Sequence, residues 1–240
     1  MTGTILNATA ILLGGLAGLT VRRGLPPATQ GWLKISLGTL AIFYGLRLTW
    51  LSVNGPPLVI LKQLAVVIVA MMLGKLAGRL LGLQKSSNRL GQLARERMAA
   101  AKPDTPGRLG EGFGLCSLLF CVAPLAVLGA VQDGLRGYYA PLAIKALMDG
   151  LAAMGFVAIW GWSVTLSALP VLAFQGTISL LCAEYAEPFL RTHGLADSVH
   201  ATGGLLVFCV GLLIFEIRKI EVTNYLPSLL FAPLLTWLWP

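Results

Sequence analysis

Lys145 and Asp149 stand four residues apart within a hydrophobic stretch, and Gln132-Asp133-Gly134 closes the stretch before it. Opposite charges at i and i+4 share one helix face within pairing distance. In lipid each such group costs at least ~2.5 kcal/mol near the bilayer centre, so it marks an ion path, a relay or a counter-ion by default. The chemistry open to the pair is reversible: Asp149 can hold a cation or a proton while Lys145 serves as its resting counter-charge. A permanent ion pair that only specifies helix packing is the competing reading, although desolvation makes that a poor route to stability. Gln175 lies in the next apolar stretch between Pro170 and Gly176-Thr177. A loosened helix there frees carbonyls for an ion, and a plain interhelical hydrogen bond is the alternative. Asp133, beside Gly134 and Gly137, is expected near the outer surface, either hydrated at the mouth of a cavity or capping a turn with Gln132. Asn7 and Asn224 read as packing amides or as residues lining a path. The candidate substrate- or ion-binding residues are therefore Asp149, Lys145, Gln175, Asp133, Gln132 and Asn7.

The elements that must position these residues are membrane helices. Hydrophobic residues make up 56% of the 240 and charged ones 12%, with a mean hydropathy of +0.79. Soluble domains run near 45–50% apolar and about 25% charged, so the solvent here is lipid. A helix needs about 20 apolar residues to cross ~30 Å of hydrocarbon. That ruler gives an all-α polytopic bundle with spans near 3–20, 32–51, 58–82, 113–132, 139–160, 165–184, 200–217 and 222–239. Only Gly161-Trp162-Ser163 separates the fifth and sixth, so seven spans with one kinked or re-entrant piece is the alternative. Met1 to Leu19 lacks a basic leader region and reads as a retained first span entering with its N-terminus outward. With that orientation thirteen of the 18 Lys and Arg residues fall on the cytoplasmic side, as the positive-inside rule requires, and both termini face outward. This asymmetry accounts for the net charge of +8, which attracts anionic lipid and is no nucleic-acid signal.

Residues 84–111 form the longest polar segment, read as a solvated cytoplasmic loop or a short helix on the inner membrane surface. It divides one membrane domain into a three-helix unit, 1–83, and a five-helix unit, 112–240. An internal echo crosses the divide: 37–46 aligns with 203–212, matching Gly38 and Gly45 to Gly204 and Gly211, and Gly3-Thr4-Ile5 resembles Gly176-Thr177-Ile178. If spans 1–3 correspond to spans 6–8, their odd offset makes an inverted repeat, a plan that transporters use around a midplane site. Chance similarity between Gly- and Leu-rich helices is the alternative. Gly14-x-x-x-Gly18 and Gly74-x-x-x-Gly78 let backbones approach closely, within one subunit or across a homodimer.

Other chemistry is not expected. Arg47, Lys62, Lys75 and Arg79 can snorkel to an interface. His193 and His200, near Glu184, Glu187 and Asp197, lack tight ligand spacing, so no metal is expected. Cys116, Cys121, Cys182 and Cys209 read as small core residues. Asp133 and Asp149 appear at different depths with Lys145 between them, unlike a carboxylate pair sharing a proton. Gly110-Glu111-Gly112-Phe113-Gly114 lacks the strand and lysine of a phosphate loop. No enzyme and no cofactor are expected beyond a coupling H+ or Na+.

Gly3-Thr4-x-x-Asn7 with Gly14-Gly15, Ala130-Val131-Gln132-Asp133-Gly134, Lys145-x-x-x-Asp149-Gly150 and Asn224-Tyr225-Leu226-Pro227-Ser228-Leu229-Leu230 occur in this order along the chain. Together they resemble the YqgA/YdfK-like bacterial inner-membrane family, defined by a domain of unknown function. The resemblance covers essentially the whole chain and implies a polytopic bacterial membrane protein of the kind described as a transporter, with no substrate attached. The expected function is secondary transport of a small polar or charged solute or ion, coupled to H+ or Na+. A passive channel or a non-transporting scaffold is the alternative.

Overall fold

An open chain in lipid can satisfy its backbone only as helix, and every regular element among the described residues is helical. The computed structural model describes residues 1–20, 26–100 and 108–239. Arg22, Arg23, Lys102, Pro103, Pro106 and Gly107 lie outside these, as do the side chains of Met98 and Arg108. The helices are α1 (Thr2–Thr20), α2 (Pro27–Leu51), α3 (Pro57–Leu80), α4 (Leu83–Ala100), α5 (Arg108–Val122), α6 (Pro124–Arg136) and α7 (Ala140–Trp160). A 3-10 segment, Gly161–Ser167, leads to α8 (Ala168–Leu181), a π turn at Cys182–Ala186 and α9 (Glu187–Thr192). The chain ends with α10 (Ala196–Ile214), α11 (Val222–Tyr225) and α12 (Ser228–Leu238).

Four helical runs are long and apolar enough to cross a bilayer: Thr2–Thr20, Pro57–Leu80, Ala140–Thr192 and Ala196–Ile214. A fifth results if α5 and α6 count as one broken span. The expected continuous span 113–132 is that broken piece, bent by 59° where Pro124 starts α6. Proline fits the first helical turn but cannot continue the preceding helix, which is why the two axes diverge there. The count of eight is not reached on length and apolarity alone. Lys34, Arg47 and several polar residues dilute the 25-residue α2, and Val222–Leu238 is short.

The expected 84–111 loop is largely helix, as α4, and Arg97 on it pairs with Glu111 at 3.2 Å. Large apolar side chains stay exposed on the outer faces, among them Leu13, Leu16, Leu61, Ile68 and Met72. Such extended apolar surfaces are what lipid covers.

Contacts divide the chain into two compact units, and neither is a sequential block on one side of residues 84–111. One unit comprises Met1–Thr29 and Ser86–Leu180, and the other Gln30–Lys85 and Leu181–Pro240. In the first, α1 lies against α7 with backbones nearly touching. A Cβ on Gly3 would strike the Leu142 side chain, one on Gly14 the Gly150 carbonyl, and one on Gly18 the Met154 carbonyl. Those pairings run in the same direction along both helices. Gly15 meets Thr165 and Thr4 meets Ser179, so α8 runs antiparallel to α1 and the chain reverses between α7 and α8. Gly161, with φ 72°, sits at that reversal, in a conformation that glycine alone adopts freely. Below this contact Ile11, Cys116, Phe120, Ala153, Val157 and Val164 form a closed core. Trp160 belongs to that core at 3% exposure, whereas Trp162 is exposed.

The second unit uses the same device twice. Gly45 meets Gly204 and Phe208, and Gly211 meets Gly38 and Ile42, so α2 and α10 pack antiparallel on small residues. Gly74 meets Ser228 and Gly78 meets Asn224, packing α3 on the last two helices. Lys34 binds Glu216 at 2.6 Å, and this hydrogen-bonded ammonium holds the exposed Glu216 carboxyl below its ordinary range. Gly14, Gly18, Gly74 and Gly78 thus all serve contacts within one subunit.

These contacts rank the glycines. Gly45→Ala forces a methyl into the backbone of α10 and costs at least ~1–3 kcal/mol, the usual range for overpacking. Gly155→Ala meets open space and is neutral or stabilising by up to ~1 kcal/mol, because alanine loses less chain entropy in a helix. Thermal unfolding of the two variants in one detergent checks the order; equal midpoints contradict the close approach.

Candidate functional site

Lys145 and Asp149 are both buried in α7, at 2% and 7% exposure, and the ammonium is bonded directly to Asp149 Oδ2. The lysine is one of the largest fully buried side chains among the described residues. On its other side lies the ring of Phe120, its centroid 5.9 Å from Nζ, and an aromatic face is an attractive wall for a cation.

Asn7 completes the arrangement from α1. Its Nδ2 donates to Asp149 Oδ2 at 3.1 Å and to Gln175 Oε1 on α8, also at 3.1 Å. Both amide protons are thereby spent, and one short side chain joins three helices. Gln175 and Asn7 are fully buried.

A second polar layer lies one helical turn away, at Thr4, about 4.5 Å along α1. The Thr4 backbone N–H donates to Asp133 Oδ2 at 3.2 Å. This N–H belongs to the first turn of α1, where donors lack an intrahelical acceptor and a carboxylate is favoured. The amino group of Met1 is 3.4 Å from the same oxygen. Ser179 Oγ donates to the Ala130 carbonyl at 2.9 Å, which leaves the Thr4 hydroxyl to donate to Ser179 at 3.3 Å. Asp133 is therefore not exposed at a mouth. It is 2% exposed, and it caps a different helix from the one that carries it. Gln132 is fully buried beside it. Gly137 at φ 63° ends α6, its N–H closing on the Asp133 carbonyl and that of Tyr138 on the Gln132 carbonyl.

Three buried polar atoms in these layers have no hydrogen-bond partner among the described residues: Asn7 Oδ1, Asp133 Oδ1 and Gln175 Nε2. Two are acceptors and one is a donor. Buried polar atoms are nearly always satisfied, so this concentration marks the place where a ligand, an ion or water can be held.

The chain matches the model of a protein family described as "Protein of unknown function (DUF554)" over residues 2–237. It belongs to that family. The "Uncharacterized membrane protein YdfK" of Bacillus subtilis (strain 168) is 28% identical over 233 residues, covering 97% of this chain and 94% of the relative. The "Uncharacterized protein YqgA" of Escherichia coli (strain K12) is 29% identical over 239 residues, covering 99% and 97%. No solved structure matches the chain. The DUF554 chain is thus a helical membrane-associated protein, and what it does has to be argued from its own geometry.

That geometry gathers Asn7, Asp133, Lys145, Asp149 and Gln175 into one four-helix interior and adds Thr4 and Ser179, which are not among the candidate site residues. Both are hydroxyl residues on otherwise apolar faces, one turn from Asn7 and Gln175, and that register was the available signal. Asn224 belongs to the other compact unit. There its Oδ1 accepts the Gln84 N–H at 3.0 Å and its Nδ2 donates to Glu221 at 3.0 Å, so it is a packing amide. Lys75 rests over Tyr225, 5.3 Å from the ring centroid, and Arg79 is 3.5 Å from Glu221. His193 is exposed with Nδ1 on the Phe189 carbonyl, and His200 is buried. The four cysteines are free.

Removing one member of a buried pair strands the other charge, at a cost of about 3–5 kcal/mol. Lys145→Met and Asp149→Asn are each expected to destabilise by roughly that much, and the double variant by clearly less than their sum. Unfolding midpoints of the four proteins in one detergent check the coupling. Additive losses would mean that the two groups do not depend on each other.

Proposed function

We propose that the chain is a secondary transporter that moves a small polar or charged solute or ion across the bacterial cytoplasmic membrane, coupled to H+ or Na+. The observation that carries this reading is the Asn7 amide. It ties the Lys145–Asp149 pair on α7 to Gln175 on α8, while its own Oδ1 stays open beside two further unpaired buried atoms. A lipid-bound scaffold gains little from such a network, because a buried pair replaced by apolar residues is often neutral or stabilising. In this reading an arriving proton or sodium ion takes the place of the Lys145 ammonium on Asp149. Asn7 then faces a neutralised and therefore weaker acceptor on α7, and its amide can turn to the solute between α1 and α8.

The proposal includes eight crossings with both termini outside and an inverted repeat of spans 1–3 and 6–8. Helix directions support it: α1 is parallel to α7 and antiparallel to α8, and α2 is antiparallel to α10. The glycines that align in the echo also pack on each other. Gly38 lies against the Gly211 turn and Gly45 against Gly204, the reciprocal pairing that a two-fold axis produces. Each compact unit is closed under the exchange of spans 1 with 6, 2 with 7 and 3 with 8. Repeats of this kind rock against each other around a fixed site in transporters.

Proteoliposomes carrying the purified chain, energised by an imposed pH or Na+ gradient, test the reading with a labelled panel of amino acids, carboxylates and small cations. Gradient-driven uptake of a panel member is expected, reduced at least tenfold in Asp149→Asn with the protein still folded. Uptake that persists in the Lys145→Met, Asp149→Asn double variant would sink the site, and passive equilibration without a gradient would make the chain a channel.

A further inference from the structure

In the second compact unit a groove of about 510 Å³ opens between the end of α2 and the start of α3. Phe43, Leu46 and Trp50 line it from α2, and Ile60 and Leu64 from α3. Phe43, Leu46 and Trp50 are 57%, 46% and 81% exposed, so the groove lies open along its length. The α3 run, Pro57–Leu80, is long and apolar enough to cross a bilayer. At 1.5 Å per residue Ile60 and Leu64 stand about 4.5 and 10.5 Å from its first residue, so the groove belongs to the end of a span and not to its middle.

Apart from the Trp50 indole, two polar side chains border the groove, Thr49 and Arg47. The Thr49 hydroxyl spends its proton on the carbonyls of Gly45 and Ala201, at 3.1 and 3.2 Å. A polar solute needs several placed donors and acceptors, and this lining does not supply them. Hydrocarbon is what it accommodates. Arg47 differs from the other cations of this unit: it is exposed, and among the described residues it makes no ion pair and no hydrogen bond. None of the lining residues is acidic. Its stem lies along the apolar groove, so the guanidinium stands at the rim with all five donors open. Trp50, one turn further along α2, is the residue type that marks the headgroup level of a bilayer.

We infer that this groove seats an acyl chain of an anionic phospholipid, of the phosphatidylglycerol class, whose phosphate pairs with Arg47. The planar guanidinium matches two phosphate oxygens at once, and the chain lies on Leu46, Ile60 and Leu64. A second copy of the protein is the competing occupant of so apolar a face. Packed about a two-fold axis, it would set the same patch against itself and so bring a second Arg47 toward the first with no lining carboxylate between them. An anionic lipid neutralises the charge that a second copy doubles. The site stands apart from the Asn7 network and does not depend on the chain's being a transporter.

The test places the full chain in mixed bilayers of phosphatidylglycerol and phosphatidylcholine, with one lipid or the other brominated on its acyl chains. Bromine quenches a neighbouring indole, and the signal of Trp50 is taken as the difference between the wild type and Trp50→Phe. Brominated phosphatidylglycerol is expected to occupy the site about fivefold more readily than brominated phosphatidylcholine, the usual effect of one basic side chain at an anionic membrane surface. Arg47→Gln should bring that ratio to about one at an unchanged melting temperature, because the side chain is exposed, and Arg47→Lys should keep most of it. Equal quenching by the two lipids, or a preference that survives Arg47→Gln, overturns the assignment. Protection of Trp50 from both lipids gives the face to a second copy and overturns it too. Glycerol phosphate, which carries the charge without the chains, is expected to leave the quenching unchanged; relief by it assigns Arg47 to a soluble phosphate and overturns the lipid reading.

Discussion

The polar interior depends on how closely the backbone of α1 approaches α7. Helix axes ordinarily stand 8–10 Å apart, held off by side chains. At Gly14 and Gly18 there is no side chain, and the carbonyls of Gly150 and Met154 occupy the space a Cβ would take. Only at that separation can the short amide of Asn7 touch Asp149 and still reach Gln175 on a third helix. The register along the axis is set elsewhere, by Asp133 on the Thr4 N–H. Small residues thus fix the distance and a cap fixes the height, and the hydrogen-bond network follows from both.

Energetics separates the two polar layers. Asp133 answers a need that any helix start buried in lipid has, since the first-turn N–H groups have no intrahelical acceptor and no water to turn to. That layer is structural work. The Lys145–Asp149 layer answers no such need, because both charges were introduced by side chains and leucine or methionine in either place leaves no backbone group orphaned. Phe120 and Asn7 then accommodate the pair that has been created. Where a network solves only a problem of its own making, a task other than packing is the economical explanation.

Much of this was legible in the chain, and the illegible parts share a cause. The pair at 145 and 149 shows because both members sit on one helix, and Gly14 and Gly18 show because a four-residue spacing is a local pattern. Asn7 reads equally as a packing amide or a path-lining residue in the sequence because its partners are 142 and 168 residues away. In the sequence Asp133 looks open to water because it stands near a helix end, whereas the first turn of α1 covers it. The bend at Pro124 was hidden by an apolar run that satisfies a span-length rule without being one helix. The two compact units interleave along the sequence for the same reason: contacts between distant segments decide them, and a polar stretch such as 84–111 marks only where the chain leaves the apolar layer.

On the proposed exchange of spans, the fourth and fifth have no counterpart. Those are α5–α6 and α7, and they supply every charged side chain of the network: Asp133, Lys145 and Asp149. The exchanged spans, α1 and α8, contribute only neutral groups, Thr4, Asn7, Gln175 and Ser179. In the second unit, where all four spans exchange, the close helix contacts are made by glycines, which meet other glycines, serine, asparagine and neighbouring apolar residues such as Phe208 and Ile42. On that proposal, packing by symmetry and charge outside the repeat are separate features of one chain. A reciprocal glycine contact can be doubled by repeating a sequence, because the same surface serves both sides. A buried lysine and aspartate cannot be doubled so cheaply, since each copy needs its own compensating shell. If the exchange holds, the unpaired helices are where an asymmetric, charge-bearing site can be built without disturbing the contacts that such a repeat would provide.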